Sequence, residues 1–266
     1  MELLPDYQQL IAIADEKAQS YRTAGPYPHI VIDDFFDPEI LRKVVEEFPD
    51  KKRDKWTKFD NERSIKLASK HETQIPDFTR RFIHELNSGS FLEFLEHLTG
   101  IHGLLPDPHL VGGGLHEIEK GGFLKIHADF NWYKDLQIHR RLNVIVYLNQ
   151  DWKEEYGGHF EMWDKKMERC EQRVSPVFNR TLVFNTTDDS YHGHPEPLTC
   201  PEGRSRKSLA LYYYTVERPK GTMFYEHGSL FKKRPDESYR LVGTGDFFRK
   251  LIPPICIELI SAYKKR

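Results

Sequence analysis

Apolar residues recur with two different periods along this chain, and the change falls near residue 100. In the first hundred residues the spacing is mostly helical. Leu10, Ile11, Ala14 and Ala18 fall on one helical face. Asp37 offers an N-cap with Pro38 in the first turn, and Ile40, Leu41, Val44, Val45 and Phe48 follow as one apolar stripe. Phe78, Phe82 and Leu86 predict another helix, and Ser90 is expected to cap one more, running through Phe91, Leu95 and Leu98 to Gly100. The exception is His29-Ile-Val-Ile-Asp33, which reads as a short strand. Residues 50–58 read as a charged, lysine-rich loop.

After Gly100, short β-rich runs alternate with Gly, Pro, Asn and Asp clusters. The pattern predicts strands near Gly114–Glu119, Phe123–His127, Leu142–Leu148, His159–Trp163, Gln172–Val174, Arg180–Phe184 and Ser208–Val216. Many short strands divided by turn signals argue for a sandwich or barrel. Within Leu142–Leu148, alternation puts Asn143, Ile145 and Tyr147 on one face. One domain is expected over 1–266, with a mainly helical part to 103, a β core over 104–218 and a basic, turn-rich tail over 219–266.

Composition narrows the function. Basic side chains number 39 and acidic ones 41, so no basic face recommends a nucleic-acid partner. Cys170, Cys200 and Cys256 are odd in number and far apart, which suggests neither a disulfide framework nor a zinc ribbon and fits a reducing, cytoplasmic setting. The first residues lack the pattern of a signal peptide, and no run approaches the ~18 apolar residues of a membrane span. Glycosylation sequons at Asn179 and Asn185 therefore read as chance. The stretch 246–266 mixes apolar and basic residues and is a weak candidate for membrane-surface contact. Oligomeric state leaves no mark on the sequence.

The chemistry begins at His127 and Asp129, one residue apart at the end of the apolar run Phe123–Ile126. Residues i and i+2 of a strand point the same way, so both can reach one ion. A second histidine, His192 or His194, follows about sixty residues on at a predicted strand end, and Gly193 between them leaves room for close packing, which favours His192. Two histidines and one carboxylate on one face leave three open positions, the arrangement of non-haem Fe(II) oxygenases. Arg206 opens a late strand, with Ser208 on the same side; a guanidinium binds a carboxylate with two parallel hydrogen bonds and a hydroxyl adds another. Tyr147 is a third candidate donor for that anion. Residues expected near the substrate are Asn131, Trp132 and Tyr133, just after the His-x-Asp, with Trp163, Asp189 and His194. The charged stretch 50–70 is a candidate lid.

At these residues the chain resembles the prolyl-4-hydroxylase-like branch of the Fe(II)- and 2-oxoglutarate-dependent dioxygenases. The matching segments include Gly121-Gly-Phe-Leu-Lys-Ile-His-Ala-Asp-Phe-Asn131, Arg140-Arg-Leu-Asn-Val-Ile-Val-Tyr-Leu-Asn149, Tyr191-His-Gly-His-Pro195 and Arg206-Lys-Ser-Leu-Ala-Leu-Tyr212. The likeness is strong over about 105–217 and weaker from 26 to 104. It implies a mostly β protein with flanking helices: a double-stranded β-helix, or jelly roll, with N-terminal helices packed outside. It implies His127, Asp129 and His192 as catalytic iron ligands, and Arg206, Ser208 and Tyr147 around 2-oxoglutarate. It also implies hydroxylation of an unactivated C–H bond in a prolyl, other peptidyl, amino-acid or small-molecule substrate. Dioxygen is consumed, 2-oxoglutarate is decarboxylated to succinate, and ascorbate is a candidate reductant. The gap from His192 to Arg206 exceeds that of many relatives, so the loop 195–203 is expected to be elaborated. The rival expectation is a silent jelly-roll protein that binds a metal or ligand without turnover.

Overall fold

The computed structural model describes residues 2–49, 56–69, 71–218 and 225–238. The stretch 246–266 considered for membrane-surface contact, Cys256, and residues 50–55 and 70 of the candidate lid lie outside the described residues. Four α-helices occur among the described residues: α1 (Tyr7–Thr23), α2 (Pro38–Glu46), α3 (Asp77–Leu86) and α4 (Gly89–Thr99). Strands β1 (His29–Asp33), β2 (Trp56–Asn61) and β3 (Ser64–Ser69) lie between the helices. After them come β4 (Leu105–Pro106), β5 (Gly114–Glu119), β6 (Phe123–Ala128), β7 (Trp132–Tyr133), β8 (Ile138–Tyr147) and β9 (Phe160–Trp163). The chain continues through β10 (Cys170–Val174), β11 (Arg180–Asn185), β12 (His192–His194), β13 (Ser205–Thr215) and β14 (Leu230–Phe231).

Local chemistry fixes the helix ends. Asp37 accepts from Glu39 N at 2.8 Å, with Pro38 behind it in the first turn. Ser88, not the expected Ser90, caps α4 by accepting from Phe91 N, and Gly100 closes it in the left-handed region at φ 74°. Both serines fit the motif in sequence, and the extended backbone of Ser88 decides between them. Of the lysine-rich stretch expected to be a loop, Trp56–Lys58 belong to β2 instead.

Every strand pair is antiparallel, in the order β1-β11-β8-β13-β5-β3-β6-β12-β9-β10. The ladder curls into a nearly closed jelly roll. Alternation along β8 and β13 separates two layers. Leu142, Val144, Val146, Leu209, Leu211 and Tyr213 face outward and pack with Leu41, Phe82, Phe94 and Leu98 of the helices in the largest core cluster. Asn143, Ile145, Arg206, Ser208, Ala210 and Tyr212 face inward and line an internal cavity. Burying aliphatic residues at about 25 cal/mol per Å² anchors the helices to one sheet face. The other face is thereby left to carry polar chemistry.

β3 joins the two halves of the roll, pairing Leu67 and Ala68 with Glu117 and His116 of β5 and Ser64 and Ile65 with Leu124 and Phe123 of β6. Together β2 and β3 form a hairpin over the mouth of the roll. No helix among the described residues is long and apolar enough to cross a membrane. Asn179 is buried, and its amide donates to Phe36 O at 2.7 Å, so the sequon there ties the loop before β11 to the segment between β1 and α2.

Candidate active site

Strands β6 and β12 bring the expected ligands together through an irregularity that alternation alone does not predict. His192 pairs with His127 and His194 with Leu124, so two steps along β12 match three along β6. The extra residue is a β-bulge, and it turns Leu124 and His127 to the same side despite their odd spacing. Gly193 sits opposite the bulge. A Cβ there would lie 2.7 Å from Leu124 O and 2.9 Å from Lys125 O, so only glycine fits. Gly193→Ala is therefore expected to pry β12 from β6 and lower divalent-metal affinity by about tenfold or more, as damage to groups that orient ligands does. Calorimetric titration with Mn(II) measures it, and wild-type affinity would reject the argument.

His127, Asp129 and His192 offer ligand atoms that all lie within 4.8 Å of one another. His127 Nε2 is 3.5 Å from one Asp129 oxygen, and His192 Nε2 is 3.4 Å from the other. The remaining ring nitrogens are spoken for: His127 Nδ1 donates to Lys125 O and His192 Nδ1 to Ser190 O, both at 2.8 Å. This fixes the tautomer and leaves both Nε2 lone pairs for an ion. Burial lowers the pKa of His127, which keeps the ring neutral and able to ligate. Burial alone would raise the Asp129 pKa, but Arg140 and the two histidines hold the carboxyl well below its usual range. Its Oδ2 accepts from Arg140 Nη2 at 2.9 Å and Asn143 Nδ2 at 2.8 Å. Arg140 is itself stacked 3.4 Å from the Tyr212 ring centroid. The donor set, its tautomers and its single charged carboxylate fit a divalent ion such as Fe(II).

An inner cavity of about 70 Å³ runs inward from this triad to Arg206 and Ser208. Arg206 is 4% exposed. Its Nε donates to Gly158 O at 2.8 Å and its Nη2 to the Tyr147 hydroxyl at 3.4 Å, yet no carboxylate among the described residues pairs with it. Burial accordingly lowers its pKa, with Tyr147 partly opposing. Tyr147 is fully buried among Phe160, Leu182 and Phe184 behind the guanidinium and does not line the cavity. His194 does line it, and its buried Nδ1 has no hydrogen-bond partner among the described residues. A buried cation without an anion and an orphaned imidazole nitrogen are costly unless a ligand completes them.

An outer cavity of about 760 Å³ opens from His127 and Asp129 of the triad. Its walls are the β2–β3 hairpin, with Phe59, Arg63 and Lys66, and Phe130, Tyr212 and Phe231. Phe231 arrives on β14, which adds to β6 with Phe231 opposite His127, and its ring stacks on that histidine at 5.2 Å between centroids.

The aromatic residues expected near the substrate are elsewhere. After Asp129 the chain folds back as β7 onto β8, so Trp132 packs on His139 at 4.5 Å and Tyr133 on Tyr214. Trp163 donates to Glu161 at 2.9 Å and packs with Ile126 and Met167. Asp189 pairs with Lys165. Asn131 is buried and pins the segment before β14, donating to Tyr225 O at 2.9 Å and accepting from His227 N at 3.2 Å. None of these five lines either cavity. His194 belongs to the inner cavity alone.

Comparison with known proteins agrees with the geometry. Residues 113–214 match the family model of the 2OG-Fe(II) oxygenase superfamily. No curated protein sequence gives a significant match. Among solved structures, a prolyl hydroxylase from Trichoplax adhaerens, in complex with a hypoxia inducible factor peptide fragment, superposes with a TM-score of 0.58 at 14% identity, covering 78% of this chain and 91% of that one. A Pseudomonas putida prolyl-4-hydroxylase gives 0.53 at 16% identity, over 76% and 99% of the two chains. HygX from Streptomyces hygroscopicus with nickel, 2-oxoglutarate and hygromycin B bound gives 0.50 at 15% identity, over 80% and 97%. Residues 113–214, which hold all three candidate ligands and the Arg-x-Ser, match the 2OG-Fe(II) oxygenase superfamily, and the chain has the fold of the prolyl hydroxylases.

Proposed function

We propose that this single-domain oxygenase hydroxylates a prolyl or other peptidyl or amino-acid side chain held in the outer cavity. His127 Nε2, one Asp129 oxygen and His192 Nε2 are the proposed iron ligands, and Arg206 and Ser208 the proposed contacts of the distal 2-oxoglutarate carboxylate. The observation that carries this reading is the buried triad continuous with a small cavity that ends on an unpaired guanidinium. When bound, Fe(II) and 2-oxoglutarate would activate dioxygen, one of whose oxygen atoms would enter succinate as 2-oxoglutarate loses carbon dioxide and the other a C–H bond of the substrate.

The chain's own residues orient and exclude. Lys125 O and Ser190 O hold the imidazoles, while Arg140 and Asn143 hold the carboxylate so that one oxygen remains for the metal. Tyr147 and Gly158 aim Arg206 from behind. His194 Nδ1 is a further polar contact for the co-substrate. Phe231, Phe130 and Tyr212 shield the reacting carbon from water and give a flat, apolar surface for a ring or aliphatic side chain. The cavity is broad enough for a peptide segment, and the structures of similar fold include one with a peptide and one with hygromycin B.

The test is succinate release by the full-length protein with Fe(II) and ascorbate, across proline-containing peptides, free amino acids and small glycosides. Release that rises with one substrate class and needs Fe(II) is expected. Metal binding without succinate from any class would favour the silent jelly-roll alternative.

A further inference from the structure

The inner cavity holds one more cation than the contacts assigned above use. Lys66 lies on the inward face of β3 with Ser64 and Ala68. Ala68 is paired with His116 of β5 and Ser64 with Leu124 of β6, so Lys66 stands between the strand that carries His116 and the one that leads to His127. Lys66, Leu124, His127, Asp129 and Tyr212 line both cavities and mark the throat between them. Arg206 and Ser208 line only the inner one and mark its deep end.

A cation therefore stands at each end of the inner cavity, with the metal triad beside Lys66. The Lys66 ammonium has no hydrogen bond or ion pair with any described residue and lies 5.2 Å from the Phe59 ring centroid. Burial pushes it down to about 8, with Asp129 opposing and Arg140 and Arg206 adding to the shift. A half-buried ammonium with no anion among the described residues gains by binding one.

We propose that Lys66 is the second anchor of the 2-oxo acid, binding the carboxylate next to the 2-oxo group while Arg206 binds the distal one. This rests on the co-substrate assignment above. It has a structural corollary. The hairpin joins the roll through the paired residues Ser64, Ile65, Leu67 and Ala68 and through hydrogen bonds at Arg63 O and Ser69 Oγ, and it also supplies Phe59 and Asn61 to the outer cavity. Gripping the co-substrate through Lys66 would fasten that wall, so the substrate cavity takes its shape only after 2-oxoglutarate is in place.

Two ligands separate the ends: 2-oxoglutarate, and 2-oxopentanoate, which has the same carbon count and no distal carboxylate. Both are titrated calorimetrically, without oxygen, into the Mn(II)-loaded full-length protein. Lys66→Met should weaken both by about tenfold or more and by similar factors, the worth of one hydrogen bond to a charged group. Arg206→Met should weaken only 2-oxoglutarate, and Lys66→Arg should recover most of the loss. Hydrogen exchange over 56–69 should slow on adding 2-oxoglutarate to the wild type and stay fast in Lys66→Met. Lys66→Gln serves as a second variant should the methionine impair folding. Unchanged affinities in both Lys66 variants, or a loss confined to 2-oxoglutarate, overturn the proposal. Failure of the wild type to bind either acid would instead overturn the co-substrate reading on which it rests.

Discussion

Asp129→Ala is expected to bring 2-oxoglutarate turnover below detection and to cut divalent-metal affinity by more than about a hundredfold. Damage to groups that merely orient a ligand costs ~10–100-fold in affinity, and removing the sole carboxylate of the set should cost more. The geometry adds a second effect. Arg140 is buried, donates to Asp129 Oδ2 at 2.9 Å and would lose its only carboxylate partner among the described residues. It keeps two hydrogen bonds to Asn143 Oδ1, at 3.0 and 2.7 Å. The metal-free variant should therefore melt lower than wild type, by less than the ~3–5 kcal/mol typical of breaking a buried pair. Mn(II) calorimetry, succinate assay and thermal melts measure the three effects. Wild-type metal affinity in the variant would remove Asp129 from the ligand set.

Arg206→Met should separate ligand binding from stability. The guanidinium is poised for two charge-assisted hydrogen bonds to a carboxylate, each worth roughly 1.5–3 kcal/mol, so its loss should raise the 2-oxoglutarate requirement by about a hundredfold or more. Without ligand the expectation reverses. Arg206 is buried with no anion among the described residues, and its lowered pKa reflects that penalty. A methionine of similar length removes the buried charge, so the ligand-free variant should melt no lower than wild type, while the rise in melting temperature on adding 2-oxoglutarate should vanish. An unchanged 2-oxoglutarate requirement would argue against the assigned role. A large loss of ligand-free stability would mean that Arg206 serves the fold instead.

The convergence of His127, Asp129 and His192 was legible because the chemistry is carried by residue type and order. His127 and Asp129 sit at a strand end, His192 at another, and Arg206 and Ser208 alternate along a third. Alternation also placed Asn143 and Ile145 on the cavity side of β8 correctly. The bulge in β6 could not be seen, because nothing in Leu124-Lys-Ile-His127 announces an extra residue; Gly193 was its one trace, visible as a small residue but not as the strand opposite. The hairpin was hidden by its charges. Lys58, Asp60, Arg63 and Lys66 look like a solvated loop, and only the pairing with β5 and β6 turns Lys66 inward. The aromatic residues after Asp129 misled for a different reason. A pair of tryptophan and tyrosine near a metal motif invites a binding role, but the two-residue strand β7 spends both on packing. Phe231 stood a hundred residues from His127 in a turn-rich stretch, where no periodicity marks a two-residue strand.

That last strand sets the smallest piece of chain able to work. A truncation ending at residue 218 would retain all of the matched family region, all three proposed iron ligands and the Arg-x-Ser. It would lose the ring lying over His127, and with Ser229 and Phe231 one side of the outer cavity. Such a fragment could still load metal and co-substrate while leaving the bound iron open to bulk water, so loss of coupling between decarboxylation and hydroxylation, rather than loss of binding, would be its signature.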